Sequence, residues 1–216
     1  MTKEVNLRFE EGSTVIHVTS EDKSNGLKKS FNMTAEMLPS IFGSSWSTGY
    51  FSVSQDGPIY LEHRGDRTLV VVQRALRKDQ TIVWNRKDLT LTTPWSVFLF
   101  GFSPSEDGQY ILRDSLIFTT TGPALGGFTR LNSAQWMGNV YNDDRVCWGN
   151  TAVSVGGTVS LASATNFAND FFYQPFTPDL ARNPERWKEF SETEVNSGRG
   201  SHSLADRITR FWRDVS

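Results

Sequence analysis

Two groups, one thiol and one carboxamide eight positions apart, have the types and spacing to carry chemistry in this chain. They lie in the segment Trp136-Met137-Gly138-Asn139-Val140-Tyr141-Asn142-Asp143-Asp144-Arg145-Val146-Cys147-Trp148-Gly149-Asn150. Cys147 is the single cysteine. Asn142-Asp143-Asp144 is a tight-turn composition, so the segment is expected to fold back and bring Asn139 close to Cys147. A thiolate is nucleophilic near neutral pH, and the thioester it forms stays reactive. A carboxamide N–H suits the oxyanion that forms when such a thioester is attacked. Arg145 favours the thiolate, while Asp143 and Asp144 oppose it, so local charge leaves the reactivity open. An inert assignment stands beside this one. A lone cysteine is more often a small buried hydrophobe. Val146 and Trp148 fit a core position, and Asn139 fits a turn or strand end.

The whole chain narrows the classes that can use such a pair. It has 216 residues, 38% hydrophobic and 12% aromatic, enough for one domain with a real core. One cysteine makes neither an internal disulfide nor a cysteine-rich zinc site, and His17, His63 and His202 are scattered. No metal and no cofactor is therefore expected. Lys+Arg 22 against Asp+Glu 24 leaves a net charge of −2, which argues against a nucleic-acid binder. No stretch reaches the roughly 18 apolar residues of a membrane helix. The polar start Met-Thr-Lys-Glu-Val-Asn carries no secretory pattern. The expected compartment is the cytoplasm, where a lone thiol stays reduced.

The elements that must position the pair are mostly strands. Val5–Phe9 and Thr14–Val18, joined by the turn Glu10–Ser13, predict an N-terminal β-hairpin. Thr34 to Phe42 suggests a short helix capped by Thr34. Ile59–Glu62, Thr68–Gln73, Thr81–Trp84, Trp95–Phe102 and Tyr110–Phe118 then read as an antiparallel meander. Arg64-Gly65-Asp66 and Ser103–Gly108 are its turns. Leu69–Val72 and Val97–Phe100 are continuously apolar, which suits central strands buried on both faces. About Val159 to Phe172 has helical spacing, and Pro184 to Glu192 predicts another short helix with Asn183 as its cap. Ser191 to Ser201 reads as a linker. Ser203 with Asp206 resembles a capping box, and Leu204, Ile208, Phe211, Trp212 and Val215 form an apolar stripe beyond it. The expected organisation is an α+β domain over 1–190, a linker over 191–202 and a C-terminal amphipathic helix over 203–216. Arg74 and Arg77 read as solvated charges at a strand end, and Phe171 and Phe172 as core. The C-terminal helix reads as docked on the domain, or as a helix offered to a protein assembly partner.

The Asn139–Cys147 segment resembles the active-site segment of ubiquitin-conjugating enzymes. Asn139-Val140-Tyr141 and Val146-Cys147 fall at that family's spacing. Met137 and Gly138 stand where the family has His-Pro, and Asp144 where it commonly has Gly. A closer resemblance is to divergent prokaryotic relatives, the family of protein B of PRTRC systems carried on mobile elements. It rests on Val70-Val71-Val72-Gln73-Arg74-Ala75-Leu76-Arg77, Thr93-Pro94-Trp95-Ser96-Val97-Phe98-Leu99, Asn139-Val140 with Val146-Cys147-Trp148-Gly149, and Phe171-Phe172-Tyr173-Gln174-Pro175-Phe176-Thr177, taken in that order. The resemblance implies a ubiquitin-conjugating-like α+β fold: an antiparallel β-meander of about four strands with C-terminal helices, to which the N-terminal β-hairpin is an addition. It implies Cys147 as the catalytic thioester carrier and Asn139 as the catalytic oxyanion donor. The implied partners are a ubiquitin-like protein and its activating enzyme.

A reading from another class uses the same residues. The missing His-Pro pair, with no obvious acid or base downstream, fits a non-catalytic structural or interaction module of a phage or other mobile element, which would place the protein in a virion. Other chemistry lacks its motifs. Gly122 to Gly127 has no phosphate-loop lysine, and no Gly-x-Ser-x-Gly elbow occurs.

Overall fold

The two continuously apolar runs lie side by side at the centre of one large antiparallel sheet in the computed structural model. The structure describes residues 3–9, 15–22, 26–34, 45–48, 50, 55–105, 110–149, 158–159, 163–176 and 202–214. Along the chain, β1 (Lys3–Phe9), β2 (Val15–Asp22) and β3 (Leu27–Thr34) are followed by β4 (Ser45–Ser47) and β5 (Gly57–Arg64). Next come β6 (Arg67–Arg74), β7 (Arg77–Trp84), β8 (Lys87–Thr93), β9 (Trp95–Pro104) and β10 (Tyr110–Thr120). Then follow β11 (Arg130–Ser133), β12 (Thr158–Val159), helix α1 (Ala164–Tyr173), β13 (His202–Ser203) and helix α2 (Leu204–Asp214). The large sheet runs β13-β11-β10-β9-β6-β5-β4, with β12 also on β10. The α+β class is as expected.

Alternation along β6 and β9 divides the core. Val70, Val72, Phe98, Phe100 and Phe102 face α1, where Ala164, Phe167, Ala168, Phe171 and Phe172 meet them. Leu69, Val71, Val97 and Leu99 face α2, where Leu204, Ile208, Phe211 and Trp212 meet them. The α1 side is aromatic: Phe98 meets Phe171 edge-on at 5.7 Å, and Phe171 meets Phe172 at 5.0 Å. Each such ring contributes about 1.5–3 kcal/mol by burial alone. Gly101 in β9 lets α2 approach, because a Cβ there would sit 2.5 Å from Phe211 Cζ. The capping box at the start of α2 is present. Ser203 Oγ donates to Asp206 Oδ2 at 2.7 Å and accepts from the Asp206 N–H at 3.1 Å. Leu204, Ile208, Phe211 and Trp212 of the stripe are thus buried on the chain's own sheet, and Val215 lies outside the described residues.

Several expectations are corrected. Thr81–Trp84 is not a meander strand. It belongs to β7, which leaves the large sheet and forms a two-stranded sheet with β8, so β6 pairs directly with β9. The turn between β7 and β8 has Asn85 and Arg86 both at positive φ (45° and 64°), the geometry of a two-residue hairpin turn. The N-terminal unit is a three-stranded sheet, because β3 adds to the expected hairpin. Thr34 is the last residue of β3, and the rest of the expected short helix, 35–42, lies outside the described residues. Val159 sits in β12, and the helix begins at Ala164. The expected Pro184–Glu192 helix and the Ser191–Ser201 linker also lie outside the described residues.

Arg74 is the sharpest correction. It is fully buried, not solvated. Its guanidinium lies 3.9 Å from the centre of the Phe172 ring and donates to Thr93 Oγ1 at 2.9 Å, to Asn169 Oδ1 at 3.2 Å and to Gln80 Oε1. Burial first, then repulsion by Arg77, pulls its pKa down to about 10. Arg77 pairs with Asp56, whose other oxygen takes the Ala75 N–H at 2.8 Å. Four elements, β6, β7, β8 and α1, therefore meet on one cation.

Gly101→Ala is expected to destabilise the protein by about 1–3 kcal/mol through overpacking. In a Phe211→Leu background it should cost measurably less, since the two positions are in contact. Denaturant midpoints of the four proteins test this, and strict additivity would refute the packing account.

Candidate functional site

The segment after β11 builds a small hairpin against β10, between the stretches of that strand paired with β11 and β12. The Tyr141 carbonyl accepts from the Asp144 N–H at 3.0 Å, and the Tyr141 N–H donates to the Arg145 carbonyl at 2.9 Å. Val140 and Val146 bridge, and the Cys147 N–H donates to the Asn139 carbonyl at 2.8 Å. This is a three-residue loop, Asn142-Asp143-Asp144, whose last position is left-handed (Asp144 φ 66°). Glycine or asparagine usually takes that conformation, and aspartate tolerates it. The hairpin is tied to β10 by the Ile117 N–H to the Asp144 carbonyl and the Val146 N–H to the Ser115 carbonyl, both 2.9 Å.

The structure brings Asn139 and Cys147 opposite each other through their backbones. Their side chains have different surroundings. Asn139 is buried and left-handed (φ 60°), and its Nδ2 donates to the Pro175 carbonyl at 3.0 Å. Pro175 is held in place because Phe176 pairs with β7: the Phe176 N–H donates to the Val83 carbonyl at 2.8 Å. Gly138 is needed beside them, since a Cβ there would lie 2.8 Å from Phe176 and 2.9 Å from Trp84. The position where the resembled family carries proline is therefore packed under the β7–β8 hairpin.

Cys147 is half-buried and lines an open cleft of about 680 Å³. One wall is β10 from Leu112 to Ser115; the other is Tyr141 and the run from Arg145 to Gly149. The Tyr141 hydroxyl donates to Cys147 Sγ at 3.3 Å, and that bond holds the phenol pKa above its usual value. Trp148 Nε1 donates to Ser115 Oγ at 2.8 Å and closes the cleft from below. Three arginines surround the Asp114 carboxyl: Arg67 at 3.7 Å, with Arg113 and Arg145 nearby. Burial nevertheless pushes Asp114 above the ordinary carboxylate value. Arg145 is itself paired with Asp143 at 2.6 Å.

Tyr141 carried no assigned role in the sequence. Hairpin parity could have found it. Val140 and Val146 are buried on one face, so Tyr141 and Cys147 share the other as diagonal neighbours, within reach for an aromatic side chain.

Asp144 is more than a turn residue. It is 3% exposed, and its Oδ1 accepts from Ser133 Oγ at 2.5 Å and from the Ala134 N–H at 3.1 Å. Its Oδ2 lies 3.7 Å from Arg207 of α2. Burial is the largest influence and raises its pKa; Ser133, Arg207 and the Ala134 N–H pull it back.

Among the described residues, no helix is long and apolar enough to cross a membrane. No family model, curated protein or solved structure matches the chain.

Two measurements test this construction. Asn139→Ala should cost about 1–2 kcal/mol from left-handed strain, plus the lost Pro175 bond, whereas Asn139→Gly should lose only the bond. Equal costs would mean that the left-handed backbone carries no penalty. The pH test concerns Asp144, whose raised folded pKa means that its protonated form is favoured in the folded state. Its contribution to stability is present below 3.8 and is lost as pH rises through the raised value. Denaturation from pH 3 to 7 should show wild type losing stability relative to Asp144→Asn as pH rises through that window.

Proposed function

We propose that the protein is a ubiquitin-conjugating-like acyl carrier, with Cys147 as its thioester-forming nucleophile. The observation that carries the reading is a half-buried thiol on an open cleft, at the end of a hairpin that closes on Asn139. In the reaction the resemblance implies, the Cys147 thiolate attacks the carbonyl carbon of a ubiquitin-like protein held as a thioester on its activating enzyme. The tetrahedral oxyanion collapses and expels the enzyme's thiolate. An acceptor amine then attacks the new thioester, and the Cys147 thiol leaves.

Support for this comes from access and field. Cys147 borders the cleft, and Arg113 and Arg145, which also line it, place positive charge on the side where negative charge would develop. The Asp144 backbone supports it too, because it adopts the left-handed turn that glycine favours in the resembled segment.

One observation favours the second reading, a non-catalytic interaction module of a mobile element. The Asn139 carboxamide donates to the Pro175 carbonyl, a structural use of the group expected to serve the oxyanion.

The experiment is incubation with an activating enzyme and its ubiquitin-like protein encoded beside this chain. A thiol-sensitive adduct should form with wild type and be absent with Cys147→Ala. With a partner set shown to be active, no adduct refutes the carrier reading and leaves the module. If Asn139→Ala remains folded and loads but fails to transfer to amines, Asn139 serves the oxyanion. Unimpaired transfer would reduce it to a hairpin anchor.

A further inference from the structure

We infer that Arg207 of the C-terminal helix is a positioning residue for the Cys147 hairpin, acting through Asp144, so that helix α2 governs how accessible the thiol is. This rests on reading Cys147 as the functional thiol. The hairpin is fastened to β10 by the backbone bonds at Ser115 and Ile117 and, just beyond Cys147, by Trp148 Nε1 on Ser115 Oγ, all near one point. The turn itself is held by Gln135 Nε2 donating to the Asn142 carbonyl and by the buried side chain of Asp144, three residues before Cys147. One carboxylate oxygen is held by Ser133 and Ala134 at the end of β11. The other faces Arg207, whose side chain is 13% exposed.

Arg207 is built into that place from both sides. Its guanidinium lies 4.6 Å from the centre of the Phe118 ring, on β10. Its helix turn is set by Leu204 and Ile208 in the core, by the capping box one turn earlier, and by Trp212 Nε1 donating to Glu62 Oε2 at 2.6 Å. At the head of the helix the Leu204 and Ala205 N–H groups donate to the carbonyls of Thr129 and Gly127. The helix thus sets the position of the guanidinium, and the turn is the partner that would move. The charged groups facing Asp144 are Arg207 and the neighbouring Asp143; the polar ones are Ser133 Oγ and the Ala134 N–H. Asp143 repels it, so Arg207 is the cation that makes the closed turn favourable. Removing that cation leaves a buried carboxylate whose cheapest relief is to swing the turn toward water, which opens the Cys147 end of the same hairpin.

The test is the rate at which Cys147 reacts with a pyridyl disulfide in the folded full-length protein, from pH 4 to pH 8. Arg207→Gln should raise the rate at neutral pH about fivefold by local opening, and Arg207→Lys should return it close to wild type. The effect of Arg207→Gln should vanish in an Asp144→Asn background, where no carboxylate remains to be relieved. A helix that only stabilises the fold would lower the melting temperature in these variants without moving the rate or the double-mutant cycle. A folded Arg207→Gln protein with the wild-type rate overturns the inference, as does an equal effect in both backgrounds. If Arg207→Gln does not fold, Asp144→Asn is read against Asp144→Ala at the same position; equal rates for these two and wild type also overturn it. The assay needs no ubiquitin-like protein. Failure of adduct formation with the cycle intact strikes the carrier reading alone, and an unmoved rate with adduct formation intact strikes this one alone.

Discussion

Neither β6 nor β9 has a solvent-facing side, and most of the architecture follows from that. Leu69 to Val72 and Val97 to Phe100 are all almost fully buried. Two neighbouring strands that are apolar on both faces need a cover on each, and the chain supplies one helix per face. The sheet edges are then the places left for polar loops and for backbone that must meet water. The Cys147 hairpin occupies one such place, on β10, between the stretches paired with β11 and β12.

Each covering helix is registered by an arginine lying over a phenylalanine, fully buried in one case and largely buried in the other. On one face Arg74 of β6 sits over Phe172 of α1 and reaches Asn169 of the same helix. On the other, Arg207 of α2 sits over Phe118 of β10 and reaches Asp144. Apolar packing of a helix on a sheet tolerates some sliding, because it is non-directional. A guanidinium with fixed donors does not, because a slip leaves a buried charge without partners. The two cations therefore convert hydrophobic cover into a defined position. The Arg74 cluster also holds β7 and β8, the hairpin that shapes the floor under Gly138 and Asn139.

The site inherits its geometry from three separate parts of the chain. Backbone pairing sets Cys147 opposite Asn139. The β7–β8 hairpin holds Phe176 and hence the Pro175 carbonyl that takes the Asn139 amide. The C-terminal helix faces the turn. Cys147 thus lines the cleft, half-buried, on a hairpin whose other side chains serve mainly to keep the loop shape.

Much of this was legible in the residues. Continuous apolar runs identified the two central strands, because burial on both faces leaves no alternation to see. Asn142-Asp143-Asp144 identified the turn, and Ser203 with Asp206 the start of the last helix, because both depend on contacts a few residues apart. The strand β8 was not legible: Asn85-Arg86 takes a turn geometry usually marked by glycine, and nothing local says that β7 leaves the sheet. Arg74 was misread for a related reason. Its partners Thr93 and Asn169 lie 19 and 95 residues away, and an arginine is exposed unless distant groups solvate it. By itself the sequence determined which segments are strands at the centre, where the chain turns, and that one thiol lies eight positions from one asparagine. Only the tertiary structure decided that the thiol borders a cleft, that Tyr141 touches it, that the Asn139 amide is bound by Pro175, and that Asp144 faces the last helix. Each of those depends on groups brought together from far along the chain, which local preferences do not specify.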